Sequence, residues 1–459
     1  MQKLSFQDVF FLRAETPSSP FHVASLMIFS LPEGAPDNYL TELVNSFDEM
    51  RELWPVFSKK LMTPDSTRDA YWVDAEDFVP SDHVLHYSLP KNGTIENLLV
   101  LLARAHEQLL DRNRPLWQVH IIEGLEDGKF AVYFKVHHAL IDGVGGLRMI
   151  QDMLSPHPDD PLKKPTPSKQ ATHHTEEGIA SAIKHSLSAL LKQAKALPEA
   201  YSMLTRIGFD NLLGREGTPH LPFSAPKTIL NKELGSRRRF IISELPLEKV
   251  KAIGKYYGGT INDVLVSIFG GAIREYLLSQ NALPERTLEA GLPVSIKGET
   301  ANDGNKLSVI ICPFGTNEPD AEKRLKAIIM TTGKAKSDIA HISPEAAEDI
   351  AAINMVPFLV ISLTHSSQRF PPAFNAIVSN VPGPKDEMYL QGARLERIYP
   401  LSIVTDGMGL NLTVISYNSR LCIGITSAPG SEPGIEALGE LIEMSYQELL
   451  NKIEEPVSA

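Results

Sequence analysis

The segment from Trp117 to Gly143 constrains the fold more than any other part of the chain. Two runs rich in aromatic and β-branched residues, Trp117-Gln118-Val119-His120-Ile121-Ile122 and Phe130-Ala131-Val132-Tyr133-Phe134-Lys135-Val136, flank the turn pair Asp127-Gly128. Such runs on either side of Asp-Gly predict a β-hairpin. The second strand leads directly into His137-His138-Ala139-Leu140-Ile141-Asp142-Gly143. Neighbouring strand residues face opposite sides of a sheet, so His137 and His138 cannot serve one substrate or chelate one ion together. One is chemical and the other structural. Asp142-Gly143 then turns the chain into a helix predicted from Val144 to Leu154, with Asp142 placed to cap it.

An unperturbed histidine titrates near pH ~6.5, so near neutrality it is mostly free base. It can take a proton from an alcohol, amine or thiol as that group attacks a carbonyl, without an activated serine or cysteine. A single histidine near an aspartate is more simply a core residue beside a helix cap. The doubled histidine with Asp-Gly at this spacing favours chemistry.

His-His-x-x-x-Asp-Gly resembles the active-site motif of the acyltransferases related to chloramphenicol acetyltransferase. That group includes peptide-synthetase condensation domains and the bacterial wax ester synthase/acyl-CoA:diacylglycerol acyltransferases. The last family is resembled in further segments: Pro20-Phe21-His22-Val23, Pro115-Leu116-Trp117, Ser236-Arg237-Arg238-Arg239-Phe240, Ile261-Asn262-Asp263-Val264, Pro293-Val294-Ser295-Ile296 and Ser379-Asn380-Val381-Pro382-Gly383-Pro384. Together with the histidine motif they follow the family's order along nearly the whole chain, which is far more specific than the motif alone. Two positions depart from the pattern: Phe21 stands where methionine is usual, and Lys297 where arginine is usual. Lysine offers a point charge in place of a bidentate fork, which puts any carboxylate contact at 297 in doubt.

The resemblance implies an α/β fold of two chloramphenicol acetyltransferase-like domains, a pseudo-duplicated α/β sandwich with the active-site channel at their interface. Acyl-CoA would enter from one side and a lipid alcohol from the other. The implied activity is O-acyl transfer, making wax esters from long-chain fatty alcohols and triacylglycerol from diacylglycerol. His138 is then the general base, with His137, Asp142 and Gly143 completing the motif and Asp142 fixing local geometry. Acyl-CoA is a co-substrate, and no resident cofactor or metal is expected. Asn262, Asp263, Ser295, Arg238, Arg239, Asn380, Pro382 and Gly383 are the expected substrate-binding positions. Ser295, Asn262 and backbone amides are all candidates for the oxyanion donor. Asn262-Asp263 also reads as a cap at the start of an apolar helix. Asn380 to Pro384 also reads as a rigid strand exit, because neither proline can continue a ladder. A carrier-protein-dependent condensation enzyme shares the motif, and a non-catalytic lipid-binding protein on the same scaffold is the third possibility.

A formal net charge of −12 argues against nucleic-acid binding, which normally leaves a basic footprint. An anionic thioester would therefore need a local basic patch. Arg237-Arg238-Arg239 is either that patch or a solvated strand edge. The two cysteines, Cys312 and Cys422, provide neither a disulfide framework nor zinc-ligand spacing, and the chain reads as cytoplasmic. The N-terminal residues lack a secretory pattern. The most apolar window, Ile353 to Leu363, falls well short of the ~20 residues needed to cross a bilayer. Membrane or lipid-droplet contact is expected to be peripheral.

The chain divides into an N-terminal domain over 1–155, a linker with a helical segment over 156–225, and a C-terminal domain over 226–459. The linker opens at Ser155-Pro156-His157-Pro158-Asp159-Asp160-Pro161. Gly178 to Ile207 has helical spacing and either bridges the domains or lies on a lipid surface. Predicted strands include His22 to Leu31, Arg238 to Ile242, Ala373 to Asn380, Arg397 to Ile403, Leu410 to Tyr417 and Leu421 to Thr426. Predicted helices include Thr94 to Asp111, Leu247 to Tyr256 and Ile261 to Leu278.

Overall fold

The computed structural model describes residues 1–4, 6–49, 54–63, 70–141, 143–160, 205–207, 209–210, 213, 215, 217–218, 220–296, 306–340, 361, 364, 366–428 and 434–454. Asp142, Lys297 and most of the helix expected over 178–207 lie outside them.

The strands are β1 (Gln2–Lys3), β2 (His22–Ser30), β3 (Lys59–Met62), β4 (Tyr71–Asp74), β5 (Val84–Gly93), β6 (Trp117–Leu125), β7 (Lys129–His137), β8 (Arg239–Pro246), β9 (Glu289–Ile296), β10 (Lys306–Pro313), β11 (Ala376–Val381), β12 (Tyr389–Leu390), β13 (Ala393–Leu401), β14 (Leu410–Tyr417) and β15 (Arg420–Ser427). Among the described residues the α-helices are α1 (Phe6–Ala14), α2 (Tyr39–Ser46), α3 (Ile95–Glu107), α4 (Gly143–Met153), α5 (Leu247–Tyr257), α6 (Ile261–Ser279), α7 (Ala321–Ala340) and α8 (Leu438–Glu454). They build two lobes, each around a six-stranded mixed sheet. The first sheet has the order β12-β13-β2-β7-β6-β5 and the second β10-β9-β11-β14-β15-β8. A small sheet, β1-β4-β3, stands apart.

Local chemistry explains the best-defined elements. The expected hairpin is β6–β7, turning at Asp127 and Gly128 with φ of 58° and 65°. The β14–β15 hairpin turns through Asn418 and Ser419, also at positive φ, as a tight two-residue connection requires. Helix α3 starts at a capping box of Thr94 and Asn97 and buries Leu98, Leu102 and His106, one stripe at four-residue spacing. Helix α6 is buried almost all round and crosses the second core.

The two faces of the first sheet differ. Trp117, Val119, Ile121, Val132, Phe134 and Val136 form one face, packed on Phe57 and its neighbours. Register places His22 opposite His137, Leu26 opposite Tyr133, and His120 opposite Tyr133. His22, His120, Tyr133, Lys135 and His137 therefore share the other face, toward α3.

The C-terminal portion does not stay in its own lobe. Strand β13, assigned by sequence to the domain over 226–459, pairs antiparallel with β2 from Leu401↔Ala24 to Arg394↔Ser30 and completes the first sheet. The reason is backbone satisfaction: β2 presents an open edge, and a strand partner is chosen by hydrogen-bonding reach, which local pattern does not encode. The crossing strand is fastened to the second lobe by Glu244 of β8, which accepts from Arg397 Nε at 2.6 Å, from the Tyr399 hydroxyl and from Arg420 at 3.0 Å. Beside it the backbones meet closely. A Cβ on Gly424 of β15 would lie 1.8 Å from the Pro400 carbonyl oxygen.

Gly424→Ala should accordingly destabilise the protein by about 3 kcal/mol, because a backbone carbonyl cannot move aside. Gly333 in α7 has nothing within 4 Å of a would-be Cβ, so Gly333→Ala should add about 0.5–1 kcal/mol through helix propensity. Urea unfolding of the two variants checks both signs, and equal stability of the Gly424 variant and wild type would contradict the close crossing.

Candidate active site

The histidine pair sits where β7 ends. The His137 amide donates to the Leu116 carbonyl at 2.9 Å, the last bond toward β6, and the His138 amide donates to the Phe21 carbonyl at 2.8 Å. The chain then turns, with the Leu140 amide donating back to the His137 carbonyl at 2.9 Å. The two rings go to opposite sides. His137 is 1% exposed, whereas His138 is half-buried against the Phe11 ring, with centroids 4.4 Å apart. His137 folds round to accept the Ala139 amide on Nδ1 at 3.0 Å. Its ring proton must then be on Nε2.

His137 Nε2 faces Glu15 Oε1 at 3.4 Å, a dipolar contact of the neutral ring's N–H with the carboxylate that is longer than an ordinary hydrogen bond. Glu15, just past α1, is as deeply buried as His137. Its Oε1 accepts the Phe21 amide at 3.1 Å, and its Oε2 accepts Arg112 at 3.1 Å. Burial alone would raise the Glu15 carboxyl, but His137, the Phe21 amide and Arg112 outweigh it and bring the group down to about 2.

Beneath this pair lies a layer of buried titratable groups. Lys135 donates to the carbonyls of Ala105 and Gln108, at 2.9 and 2.6 Å, and so caps the C-terminal end of α3. Burial lowers its ammonium to about 7, against the pull of Glu15. His22 Nε2 donates to the His106 carbonyl at 2.7 Å, and the His106 ring bonds the Tyr133 hydroxyl. Burial holds His22 and His106 well below the usual histidine range and brings His120 to about 3.

The comparisons with known proteins agree along the chain. Residues 4–265 match the wax ester synthase/diacylglycerol acyltransferase catalytic domain, and residues 303–450 match the C-terminal domain of the same family. The chain belongs to that family. It is 34% identical over 453 residues to the O-acyltransferase WSD of Acinetobacter baylyi, covering 97% of this chain and 96% of that one. It is 33% identical over 448 residues to a probable diacylglycerol O-acyltransferase of Mycobacterium tuberculosis, covering 96% and 97%. Among solved structures, a wax ester synthase/diacylglycerol acyltransferase from Marinobacter aquaeolei VT8 matches with a TM-score of 0.78 and 32% identity over 98% of both chains. The first condensation domain of the calcium-dependent antibiotic synthetase matches at 0.59 and 13% identity, covering 100% of this chain and 97% of that one. That likeness shows the shared two-domain α/β fold of the chloramphenicol acetyltransferase type.

The remaining family positions fall into several settings. Gly143 opens α4, and Ser295 lies in β9 with its side chain outside the described residues. Asn380 Nδ2 donates to Asn262 Oδ1 at 2.7 Å, joining the end of β11 to the exposed first turn of α6. Asp263 is a cap. Its carboxylate accepts the Thr260 amide and hydroxyl at 2.7 and 2.8 Å and the Thr332 hydroxyl at 2.7 Å, tying α6 to α7. Pro382 is exposed past β11, and Gly383 runs so close to β14 that a Cβ would lie 2.2 Å from the Ser416 carbonyl oxygen.

Arg238 corrects the expectation of a basic patch over Arg237 to Arg239. Its guanidinium is 1% exposed and is spent on the carbonyls of Gly235, Arg237 and Ser18, at 2.9, 2.8 and 2.7 Å. It ties the start of β8 to the segment before β2 and offers nothing to an anionic ligand. Arg239 is half-exposed and pairs with Glu436 at 3.1 Å. Strand alternation was the available signal: of three consecutive arginines, the middle one faces away from its neighbours.

Sequence reasoning missed Glu15, and nothing in Ala14-Glu15-Thr16 marks it. The buried histidines predict an acid-sensitive fold. Unfolded histidine binds protons below about pH 6.5 while His22, His106 and His120 stay neutral in the fold, so stability falls as pH drops through that value. Each should lose on the order of 1 kcal/mol between pH 7.5 and 5.5, with Lys135 acting in the same direction. Glu15 adds its own loss below about pH 4.5. Urea titrations at pH 7.5 and 5.5 measure the effect, and a flat profile would contradict neutral burial.

Proposed function

We propose that the protein is a long-chain acyl-CoA-dependent O-acyltransferase that makes wax esters from fatty alcohols and triacylglycerol from diacylglycerol, with His138 as general base. The observation that carries this reading is the opposed pair: His137 is fully buried and turned to Glu15, while His138 is half-buried past the strand end. The family relatives named for O-acyl and diacylglycerol O-acyl transfer support the substrate class.

In this mechanism His138 takes the proton of the acceptor hydroxyl as its oxygen attacks the thioester carbonyl. The new C–O bond gives an oxyanion, which collapses with cleavage of the C–S bond. The imidazolium returns its proton to the departing CoA thiolate, so acid and base roles balance on one ring. Asn262, Ser295 and backbone amides are the candidate oxyanion donors. Asp142 is assigned to holding the turn, and Asn380, Pro382, Gly383 and Arg239 to the substrate channel between the lobes.

The acceptors dissolve only in lipid. Among the described residues no helix is long and apolar enough to cross a membrane. The lipid-soluble acceptors are the ground on which we propose a peripheral site for the enzyme on a cytoplasmic membrane or lipid-droplet surface.

The test follows CoA release from a long-chain acyl-CoA with hexadecanol or diacylglycerol presented in anionic vesicles, and flotation of the protein with them. His138→Ala should lower the rate on the order of 100- to 10,000-fold with unchanged circular dichroism, and His137→Ala should cost less. Undiminished turnover by folded His138→Ala would remove the base assignment. A protein that turns over without floating with the vesicles would remove the surface assignment.

A further inference from the structure

We propose that Glu15 is a positioning residue of the active site, whose buried carboxylate fixes both histidines at the end of β7 and thereby aims His138. This rests on the reading of His138 as general base. Two chains of contact run from the one carboxylate. Through Oε1 it faces Nε2 of His137 at 3.4 Å, and on the far side of that ring Nδ1 accepts the Ala139 amide at 3.0 Å. The ring is thus a strut between the carboxylate and the first residue after His138. Through the same Oε1 it accepts the Phe21 amide at 3.1 Å, while the Phe21 carbonyl accepts the His138 amide at 2.8 Å. One carboxylate therefore anchors the backbone of His138 on one side and the turn beyond it on the other.

The ring of His138 is held by the same neighbourhood. Phe11 lies against it at 4.4 Å, and the Phe21 ring packs against Phe11 at 5.7 Å and Phe10 at 6.0 Å. Phe10 and Phe11 belong to α1, which ends immediately before Glu15. The helix that supplies the packing surface also delivers the carboxylate.

A carboxylate suits the position for a chemical reason. Accepting the Ala139 amide leaves His137 with its proton on the side of Glu15, so the group opposite must be an acceptor. Arg112 supplies the compensating charge from the surface: it donates to Oε2 of Glu15 at 3.1 Å and to the Leu12 carbonyl at 2.5 Å, with its own side chain 45% exposed. An ionised buried carboxylate with three fixed partners is stiff, which a positioning group needs.

The experiment compares Glu15→Gln, Glu15→Ala, His137→Ala and the double variant Glu15→Gln/His137→Ala with wild type and His138→Ala, in the CoA-release assay. Rates are referred to folded protein measured by near-ultraviolet circular dichroism. Misplacing a base by a fraction of an ångström to about 1 Å should lower kcat roughly 10- to 100-fold in Glu15→Gln, with KM for acyl-CoA within about two-fold of wild type. Glutamine keeps an Oε1 acceptor for the Phe21 amide and the His137 proton but loses the charge and sets an amide group against Arg112, so its loss should be smaller than that of alanine. Because Glu15 acts through His137, the double variant should fall no more than about three-fold below the weaker single variant, well short of the product of the two losses. Wild-type kcat in folded Glu15→Gln, a loss confined to KM, or fully multiplicative losses would each overturn the proposal. If Glu15→Ala does not fold, Glu15→Gln decides alone. Active His138→Ala would defeat the base reading itself, whereas inactive His138→Ala beside wild-type Glu15→Gln would defeat only the role of Glu15.

Discussion

The arrangement depends on one ionised carboxylate held out of water. Taking a carboxylate into a protein interior is strongly unfavourable unless its oxygens are matched by donors and its charge by a cation. Glu15 meets both conditions by drawing together four parts of the chain: the end of α1, the Phe21 amide before β2, Arg112 after α3, and His137 at the end of β7. Segments far apart in sequence are thereby fixed to one another, and the half-buried His138 is presented at their junction. Removing the carboxylate leaves Arg112, the amide and the imidazole without a common acceptor, so the cost appears in the geometry of the junction as much as in stability.

The lobes are joined by features of the same kind. Arg238 fills a buried position with carbonyl partners from both sides of the junction, and its amide donates to Glu107 at the end of α3. Glu244 collects two arginines and a tyrosine around the crossing strand β13. The apolar core of the first lobe takes in Phe240, Ile415, Tyr417 and Cys422 from the second. The interface is therefore continuous with the core of the first lobe.

What the sequence revealed and what it concealed divide along the distance between interacting groups. The β6–β7 hairpin, its Asp127-Gly128 turn, the bounds of α6 and the opposed directions of His137 and His138 follow from local rules of alternation, capping and turn chemistry, and all are found in the fold. Helix α3 ends at Glu107, before the predicted Asp111, because Lys135 and His22 from neighbouring strands take up its last carbonyls. No pattern within 94–111 carries that information. The same holds for β13, whose partner is β2, and for Glu15, whose partners lie in three other segments. Arg238 departs from the expected patch because a basic run suggests solvent and anions, while its neighbours in space are carbonyl oxygens. Strand β5 and the helices α1 and α8 were not anticipated, although α8 buries Ile442, Tyr446, Leu449 and Leu450 at helical spacing.

The tautomer of His137 tests the central claim most directly. Long-range proton–nitrogen correlation spectra of protein labelled in histidine, with the resonance assigned through His137→Ala, report which ring nitrogen carries hydrogen. The account predicts an unprotonated Nδ1, accepting the Ala139 amide, and a proton on Nε2 facing Glu15. The opposite tautomer, with hydrogen on Nδ1 and none on Nε2, would break both contacts, and with them the argument that Glu15 and His137 together aim His138.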